Sequence, residues 1–203
     1  MGAALATIDS IADHRGGTAL SGKRSTSEVM HQQDIASPWM QQHAALISPG
    51  TSMLDVACGH GRHARFFAGR GVSVTAVDRD SGALAGVASL SGVTTECRDL
   101  EADSWPYAPS SFAAVIVSNY LWRPTFAALL ATIRPNGVLL YETFMDGNEC
   151  YGKPSRPDFL LRSNELLALT REEFRVVAFA EGEEVDAAGQ PLAVKQKIAA
   201  IKR

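Results

Sequence analysis

The stretch LDVACGHGRHARFFAGRGVSVTAVDRD, residues 54–80, decides the fold. It contains an apolar run, two glycines that flank one residue, a helical segment and a second apolar run that ends in Asp78. Gly59, Gly61 and Ala64 satisfy the pattern G-x-G-x-x-G/A, in which glycines let the backbone approach a ligand and a helix N-terminus offers free N–H groups to it. The stretch therefore predicts a strand–turn–helix–strand unit that holds a nucleotide-like ligand.

The rest of the chain continues this alternation. A helical segment follows Ser37 as N-cap and Pro38 at the first helical position. Strands are predicted at 53–57, 72–77, 93–98, 113–118 and 138–143, and helices at 62–69, 81–90 and 125–133. Alternating strands and helices indicate an α/β protein with a parallel sheet covered on both faces. Two strand-like runs, 174–182 and 192–203, have no helical pattern between them and predict an antiparallel hairpin added to the sheet.

Composition indicates one soluble globular domain. The 203 residues are 46% hydrophobic and 20% charged, which is typical of such domains. We predict a flexible N-terminal arm or lid at residues 1–28, since 14–28 is rich in Gly, Ser and charge, and a single domain at 29–203. A net charge of -3 does not indicate tight nucleic-acid binding. No apolar run is long enough to span a bilayer, and the first residues lack the basic leader of a signal peptide. An odd count of three scattered cysteines favours reduced thiols in a cytoplasm.

Three features argue against a dinucleotide as the ligand. Asp55 lies four residues before Gly59, where its charge would repel a pyrophosphate. The chain has no substrate domain, and none of its tyrosines is followed by a lysine four residues later. A third acidic turn, Asp99-Leu100-Glu101, follows the third predicted strand. Acids thus follow three strands at one carboxyl edge, where open α/β sheets bind ligands. S-adenosylmethionine fits this edge, because it offers ribose hydroxyls, an adenine amine, an α-amino group and a sulfonium cation.

At these residues the sequence resembles a known family. LDVACGHGRHAR with VTAVDRD resembles motifs I and II of class I methyltransferases, and the resemblance covers roughly residues 35–203. More narrowly, the segments SPW, GRHARFFA, SNYLWRP, YETFMDGNECYGKPSRPDFLL and NELL are similar to a bacterial group of small class I methyltransferases known as tellurite-resistance-like. The resemblance implies a Rossmann-like, doubly wound, mostly parallel seven-stranded sheet with an antiparallel C-terminal hairpin strand. The sequence departs from the family at His60, where a smaller residue is common, and at Ala113, where an aspartate usually follows Phe112.

The resemblance implies roles for residues on both sides of the cofactor, S-adenosylmethionine. On the methionine side, Asp55 would orient the amino group, and Ser118 and Asn119 would lie below the sulfonium. The backbone of the glycine loop would wrap the same part through Ala57, Cys58, Gly59, His60 and Gly61. On the nucleoside side, Asp78 would accept both ribose hydroxyls, and Arg79 would lie beside the adenine. Asp99 would receive the adenine amine, and the Leu100 N–H would meet a ring nitrogen.

Three residues are candidate catalytic groups toward the acceptor: Tyr120, which follows the fourth strand, and Tyr141 and Glu142, which end the fifth. One of them would serve as a general base if the acceptor must lose a proton. The irregular segment 144–159 is predicted to act as a lid, with packing as a surface loop as its alternative. His60 and His63 have no partner at metal-ligand spacing, so we expect no metal site. Cys58 is interpreted as a small apolar residue and not as a nucleophile.

The sequence thus predicts an S-adenosylmethionine-dependent methyltransferase that acts in line on a small-molecule acceptor and releases S-adenosylhomocysteine. Three alternatives stay open: a methyltransferase for RNA or protein, an NAD-dependent oxidoreductase, and a non-catalytic protein that binds adenosyl ligands. No membrane partner is expected, and nucleic acid is disfavoured by the charge balance. The acceptor, the use of a base, the order of residues 1–28 and the choice between monomer and homodimer stay open.

Overall fold

Seven strands form one sheet in a computed structural model that describes residues 35–102, 104–186 and 188–203. The strand order is β3-β2-β1-β4-β5-β7-β6. Their bounds are β1 Ser52–Val56, β2 Ser73–Asp78, β3 Val93–Cys97, β4 Phe112–Ser118, β5 Ile133–Phe144, β6 Phe174–Val185 and β7 Pro191–Lys202. β1 to β5 pair in parallel, and β7 lies antiparallel between β5 and β6. The predicted seven-stranded sheet with its antiparallel hairpin is confirmed, whereas the predicted arm at 1–28 lies outside the described residues.

The described part of the chain contains five short α-helices, of which the first precedes β1 and the others lie between strands. They are α1 Pro38–His43, α2 Arg62–Ala68, α3 Ser81–Ala85, α4 Phe126–Thr132 and α5 Glu165–Thr170. Single 3-10 turns occur at Ala44–Leu46, Arg123–Thr125, Asn148–Cys150 and Pro157–Phe159. The Ser37 side chain caps α1 by accepting from the Met40 N–H, with Pro38 at the first turn, as the sequence predicts. No helix in the described part of the chain is both long and apolar enough to cross a membrane.

Apolar side chains cover both faces of the sheet, because successive residues of a strand point to opposite sides. In β4, Val115 and Val117 pack into the cluster on the α4 side, and Ala114 and Ile116 pack into the cluster that includes Met40 of α1. All four are 0% exposed. Each fully buried aliphatic side chain contributes roughly 1.5–3 kcal/mol, so this double burial fixes where the carboxyl end of each strand lies.

Two predicted boundaries are wrong. α4 ends at Thr132 and β5 begins at Ile133, five residues before the predicted start of that strand. Ile133 pairs with Phe112 and Val138 with Ala114, so the residues between them are out of register and form a bulge. A Cβ at Gly137 would lie only 2.7 Å from the Arg134 carbonyl oxygen, which restricts this bulge to glycine.

The helix predicted at 81–90 ends at Ala85. Gly82 and Gly86 lie about one turn apart, and glycine is about 1 kcal/mol less favourable than alanine in a helix interior. The backbone continues as tighter turns, in which the Val87 N–H donates to the Leu84 carbonyl. Val87 is thereby fully buried beside the glycine loop.

Candidate functional site

Three neighbouring cavities follow the carboxyl edge of the sheet. The β2–β3 cavity is lined by Ala57, Asp78, Arg79, Arg98, Asp99, Leu100, Glu101 and Tyr120. The β1–β4 cavity is lined by Asp55, Ala57, Cys58, Gly59, His60, Arg62, His63, Ser118 and Asn119. The hairpin cavity is lined by Arg62 and Glu142 together with residues 35–38, Gln41 and both arms of the β6–β7 hairpin. Ala57 belongs to the first two cavities and Arg62 to the last two, so the three form one continuous edge.

The glycine loop takes its shape from three left-handed residues, Ala57 (φ 52°), Gly59 (φ 54°) and Gly61 (φ 69°). A Cβ on Gly61 would lie 2.5 Å from Cγ1 of Val87, so no larger residue fits there. Asp78 holds the loop from the neighbouring strand: its Oδ2 accepts the Gly59 N–H at 2.7 Å, and its Oδ1 accepts the Asp80 N–H at 2.9 Å. A carboxylate oxygen can accept more than one hydrogen bond, so Asp78 can shape the loop and still receive a ligand hydroxyl.

Asp55 is a buried carboxylate with one oxygen left over. It is 1% exposed at the end of β1, and the Ala64 N–H of α2 donates to it. Its Oδ2 has no hydrogen-bond partner among the described residues. Burial raises the pKa of Asp55 to about 7, although Ala64 and the charge of Arg62 oppose that rise. Buried charges are normally paired, so this oxygen is a ready acceptor for a cationic ligand group.

Asp99 and Tyr120 both line the β2–β3 cavity. Asp99 Oδ1 accepts the N–H groups of Glu101 (2.9 Å) and Ala102 (3.3 Å), which fixes its carboxylate at the turn after β3. The Tyr120 hydroxyl is buried without a hydrogen-bond partner in the described part of the chain. Burial, reinforced by Glu101 and Asp99, raises the pKa of Tyr120 above its usual range. Tyr120, predicted on the acceptor side, therefore lies with the nucleoside-side acids and is held neutral there.

A hydrogen-bonded chain connects the β1–β4 cavity to the hairpin cavity. Arg62 Nη2 donates to Ser118 Oγ at 3.2 Å, and Ser118 Oγ donates to Glu142 Oε1 at 2.9 Å. Asn119 takes a left-handed conformation (φ 57°), and its N–H donates to the Glu142 carbonyl at 2.9 Å. Glu142 is 1% exposed, so its carboxylate faces the hairpin cavity and not bulk solvent.

Tyr141 lies in the core, and its position does not support the predicted role as a base. Its ring stacks on Phe126 with centroids 5.5 Å apart, and its hydroxyl donates to the Tyr120 carbonyl at 2.7 Å. Burial raises the pKa of Tyr141 above its usual range. Because Tyr141 precedes Glu142 in the same strand, the two side chains point to opposite faces of the sheet.

Four site residues escape the sequence-based prediction: Arg62, His63, Lys195 and Lys197. Arg62 is the first residue of α2 and could have been identified from its place directly after the glycine loop. His63 accepts the Ser37 N–H on Nε2 at 3.3 Å, and burial, with the charges of Arg62 and Lys195, lowers its pKa to about 3. The neutral His63 ring therefore connects α2 to the N-cap of α1 through this hydrogen bond. The two lysines lie far from α2 in sequence, and the insertion of β7 beside β5 brings them to this edge.

The segment 144–159, predicted as a lid, is held at both sides. Asn148 is 2% exposed, donates to the Pro154 carbonyl at 2.9 Å and accepts the Val194 N–H at 3.1 Å. Arg123 forms a two-pronged pair with Glu165 at 2.7 and 2.9 Å and donates to the carbonyls of Asp158 and Leu160. These contacts tie the segment to β7 and α5, so the lid role stays a prediction.

The Cys58 thiol is a buried apolar group. It is 8% exposed, and its pKa is raised by burial and by the nearby charges of Asp55 and Asp78. A raised pKa keeps the thiol protonated and unreactive. No cluster of three or more His, Cys, Asp or Glu side chains suited to a metal occurs among residues 35–102, 104–186 and 188–203.

Comparisons with known proteins agree with this geometry. Residues 53–137 match the family described as "Methyltransferase domain". TehB from Haemophilus influenzae has the same fold, with a TM-score of 0.67 and 19% identity over 83% of this chain and 63% of the TehB chain. This chain thus spans less than two thirds of TehB. A search of curated proteins gives no match.

Two further solved structures share the fold. One is a 1,6-didemethyltoxoflavin-N1-methyltransferase from Burkholderia thailandensis, with a TM-score of 0.64 and 20% identity over 87% of this chain and 82% of its own. The other is an S-adenosylmethionine-dependent methyltransferase from Mesorhizobium loti, with a TM-score of 0.63 and 18% identity over 82% of this chain and 99% of its own. Residues 53–137 are therefore similar to a methyltransferase domain, and the chain shares the fold of S-adenosylmethionine-dependent methyltransferases.

Proposed function

We propose that this protein transfers a methyl group from S-adenosylmethionine to a small-molecule acceptor in the cytoplasm. The buried, half-satisfied carboxylate of Asp55 carries this proposal. Asp55 lines the cavity formed by the glycine loop, and an α-ammonium group that reached its unpartnered oxygen would satisfy it, whereas a pyrophosphate would be repelled. The residues present therefore fit the methionine part of this cofactor better than a dinucleotide.

The β2–β3 cavity supports the nucleoside half of the same ligand. Asp78 and Asp99 offer carboxylate oxygens for ribose hydroxyls and the adenine amine, and the unpartnered Tyr120 hydroxyl adds a third polar group. Arg79 and Leu100 complete the wall where the adenine would lie. We assign Tyr120 to cofactor binding because of this position.

When bound, S-adenosylmethionine supplies a methyl group already activated by its sulfonium. The protein then has to align the two reactants and exclude water. Ser118 and Asn119 line the β1–β4 cavity beside the glycine loop, and Glu142 opens into the adjoining hairpin cavity. We therefore place the acceptor in the hairpin cavity and assign Glu142, oriented by the Ser118 hydroxyl, as the proton acceptor for acceptors that ionise on methylation.

Two observations support the choice of acceptor and compartment. The methyltransferase from Burkholderia thailandensis binds S-adenosylhomocysteine and the small heterocycle 1,6-didemethyltoxoflavin. Cys58, Cys97 and Cys150 are free thiols, which is the usual state of cysteines in a reducing cytoplasm.

Calorimetric titration of the purified protein with S-adenosylmethionine, S-adenosylhomocysteine and NADH tests the proposal. We expect micromolar binding of both adenosyl compounds and a loss of at least tenfold in D55N. D158N is the matched control, because Asp158 has the same charge and its side chain is 74% exposed in a surface pair with Arg156. Binding of NADH in place of the adenosyl compounds would overturn the cofactor assignment.

A further inference from the structure

The hairpin cavity has an unusual inner lining of paired charges. Lys195 and Lys197 project from β7, and Glu184 projects from β6, where it pairs with Ala193. Lys195 Nζ lies 3.3 Å from Glu184 Oε2, and Lys197 Nζ lies 2.5 Å from Glu184 Oε1. One carboxylate thus occupies the space between two ammonium groups, with one oxygen for each.

These charges are withdrawn from solvent. The side chains of Lys195, Lys197 and Glu184 are 11%, 21% and 27% exposed. The Lys195 ammonium also lies 4.9 Å from the centroid of the Phe144 ring. The pKa of Glu184 is lowered, since its contacts with Lys197 and Lys195 outweigh the effect of burial. Glu184 therefore holds its charge inside the cavity wall.

The lysine cluster of the hairpin cavity, Lys195, Lys197 and Glu184, carries a net positive charge, since two ammonium groups share one carboxylate. The lining adds one further cation, Arg62, and the carboxylate of Glu142. Two further acids at the rim are engaged elsewhere: Glu183 accepts from the Tyr151 hydroxyl, and Asp186 accepts the N–H groups of Ala188 and Gln190. Glu142 is already bonded to Ser118 on the side of the glycine loop. Lys195 and Lys197 thus share the single carboxylate of Glu184 at ion-pair distance.

We infer that Lys195 and Lys197 form a binding subsite for a carboxylate of the methyl acceptor, and that Glu184 fills this subsite until the acceptor binds. A carboxylate of the acceptor reproduces the contacts that the Glu184 side chain makes to the two ammonium groups. Glu184 lies one residue before the end of β6, at a register shift beside the 186–190 turn, so it can turn outward without breaking the central sheet. This inference rests on the proposed function and defines the acceptor of that same site.

The register of the sheet also sets the size of the acceptor. Glu142 is the direct partner of Lys197 across β5 and β7, and Lys195 lies two residues further along β7. Side chains directly opposite on one sheet face are about 5 Å apart at Cβ, and diagonal ones about 7–8 Å. An acceptor that contacts both Glu142 and the lysines must carry its nucleophile and its carboxylate a few bonds apart. The chemical class is therefore a small organic acid with a nearby nucleophilic atom.

Two probes of equal length isolate the charge: 3-mercaptopropionate and its neutral amide, 3-mercaptopropionamide. Each is titrated into protein saturated with S-adenosylhomocysteine, and binding is followed through the backbone amide NMR signals of β7. We expect saturable shifts at Lys195 to Lys197 with the acid and a Kd at least about tenfold higher for the amide, since hydrogen bonds to charged groups are roughly twice as strong as neutral ones.

Variants then assign the effect to the subsite. K197M is expected to weaken binding of the acid about tenfold, and E184Q to strengthen it at least threefold by removing the competing carboxylate. K202M is the matched control: Lys202 is on the same strand, is 13% exposed and pairs with Glu173 outside the cavity. Each variant is also titrated with S-adenosylhomocysteine, and its affinity must equal that of the wild type. A change in acid binding then reports on the lysine subsite and not on the cofactor site of the proposed function. Equal binding of acid and amide, an absence of shifts at β7, or weaker binding in E184Q would overturn the inference.

Discussion

Replacing Gly61 by alanine tests how the glycine loop is built. Gly61 has a φ of 69°, and a new Cβ would lie 2.5 Å and 2.8 Å from the two methyl carbons of Val87. A left-handed backbone costs a non-glycine residue about 1–2 kcal/mol, and overpacking a buried site costs typically 1–3 kcal/mol. We therefore expect G61A to lower the free energy of unfolding by about 2–5 kcal/mol, a large part of the about 5–15 kcal/mol of an ordinary domain.

Gly59 provides the matched control in the same loop. Its φ is 54°, but nothing lies within 4 Å of a Cβ built there. G59A should therefore cost only the backbone contribution of about 1–2 kcal/mol. Equilibrium urea unfolding of both variants measures the difference, which isolates the contact with Val87.

A double-mutant cycle with V87A completes the test. V87A alone should cost about 2 kcal/mol, because Val87 is 0% exposed. In the G61A background the smaller side chain relieves the contact, so we expect a favourable coupling of about 1–3 kcal/mol. Equal losses in G59A and G61A, or strictly additive losses in the cycle, would refute this account of the loop.

Three further predictions follow from the same structure. Because the pKa of Asp55 is about 7, its carboxyl takes up a proton below that pH. Calorimetry should therefore show the affinity for S-adenosylhomocysteine falling about tenfold per pH unit from pH 7 to pH 5. D55N should lose this pH dependence. Y141F should lower stability in urea by about 1–2 kcal/mol and leave the methyl transfer rate within about twofold, whereas a large loss of rate would restore Tyr141 as a base. R123M should lower the free energy of unfolding by about 1–3 kcal/mol and speed limited proteolysis between residues 144 and 161, because Arg123 pairs with Glu165. R156M is the control, since the exposed pair of Arg156 with Asp158 contributes little. Equal proteolysis of the two variants would show that Arg123 does not hold this segment.

Local sequence patterns predict the sheet because its central strands are buried on both faces. Runs such as 113–117 are apolar throughout, which is the composition expected of a parallel strand covered by helices. The position of the glycine loop and of the acids after β1, β2 and β3 follows directly, since parallel strands end at one edge. The bulge before Val138 was missed because its cause, pairing of Ile133 with Phe112, lies on another strand.

Side-chain direction is the second feature that limits prediction from the sequence. Tyr141 and Glu142 were both predicted as candidate bases, yet adjacent residues of a strand point to opposite faces, so alternation alone could have separated them. The direction of Tyr120 depends on a turn after β4 and is not encoded in any periodic pattern. Lys195 and Lys197 reach the site only through the order β5-β7-β6, which no local signal specifies.

The most direct measurement of the central claim is a crystal structure of the protein with S-adenosylhomocysteine. The account predicts that the α-amino group contacts Asp55 Oδ2, that the ribose hydroxyls meet Asp78, and that the adenine lies between Asp99 and Tyr120. Ligand density away from the β1–β4 and β2–β3 cavities, or an Asp55 oxygen still without a partner in the complex, would contradict it.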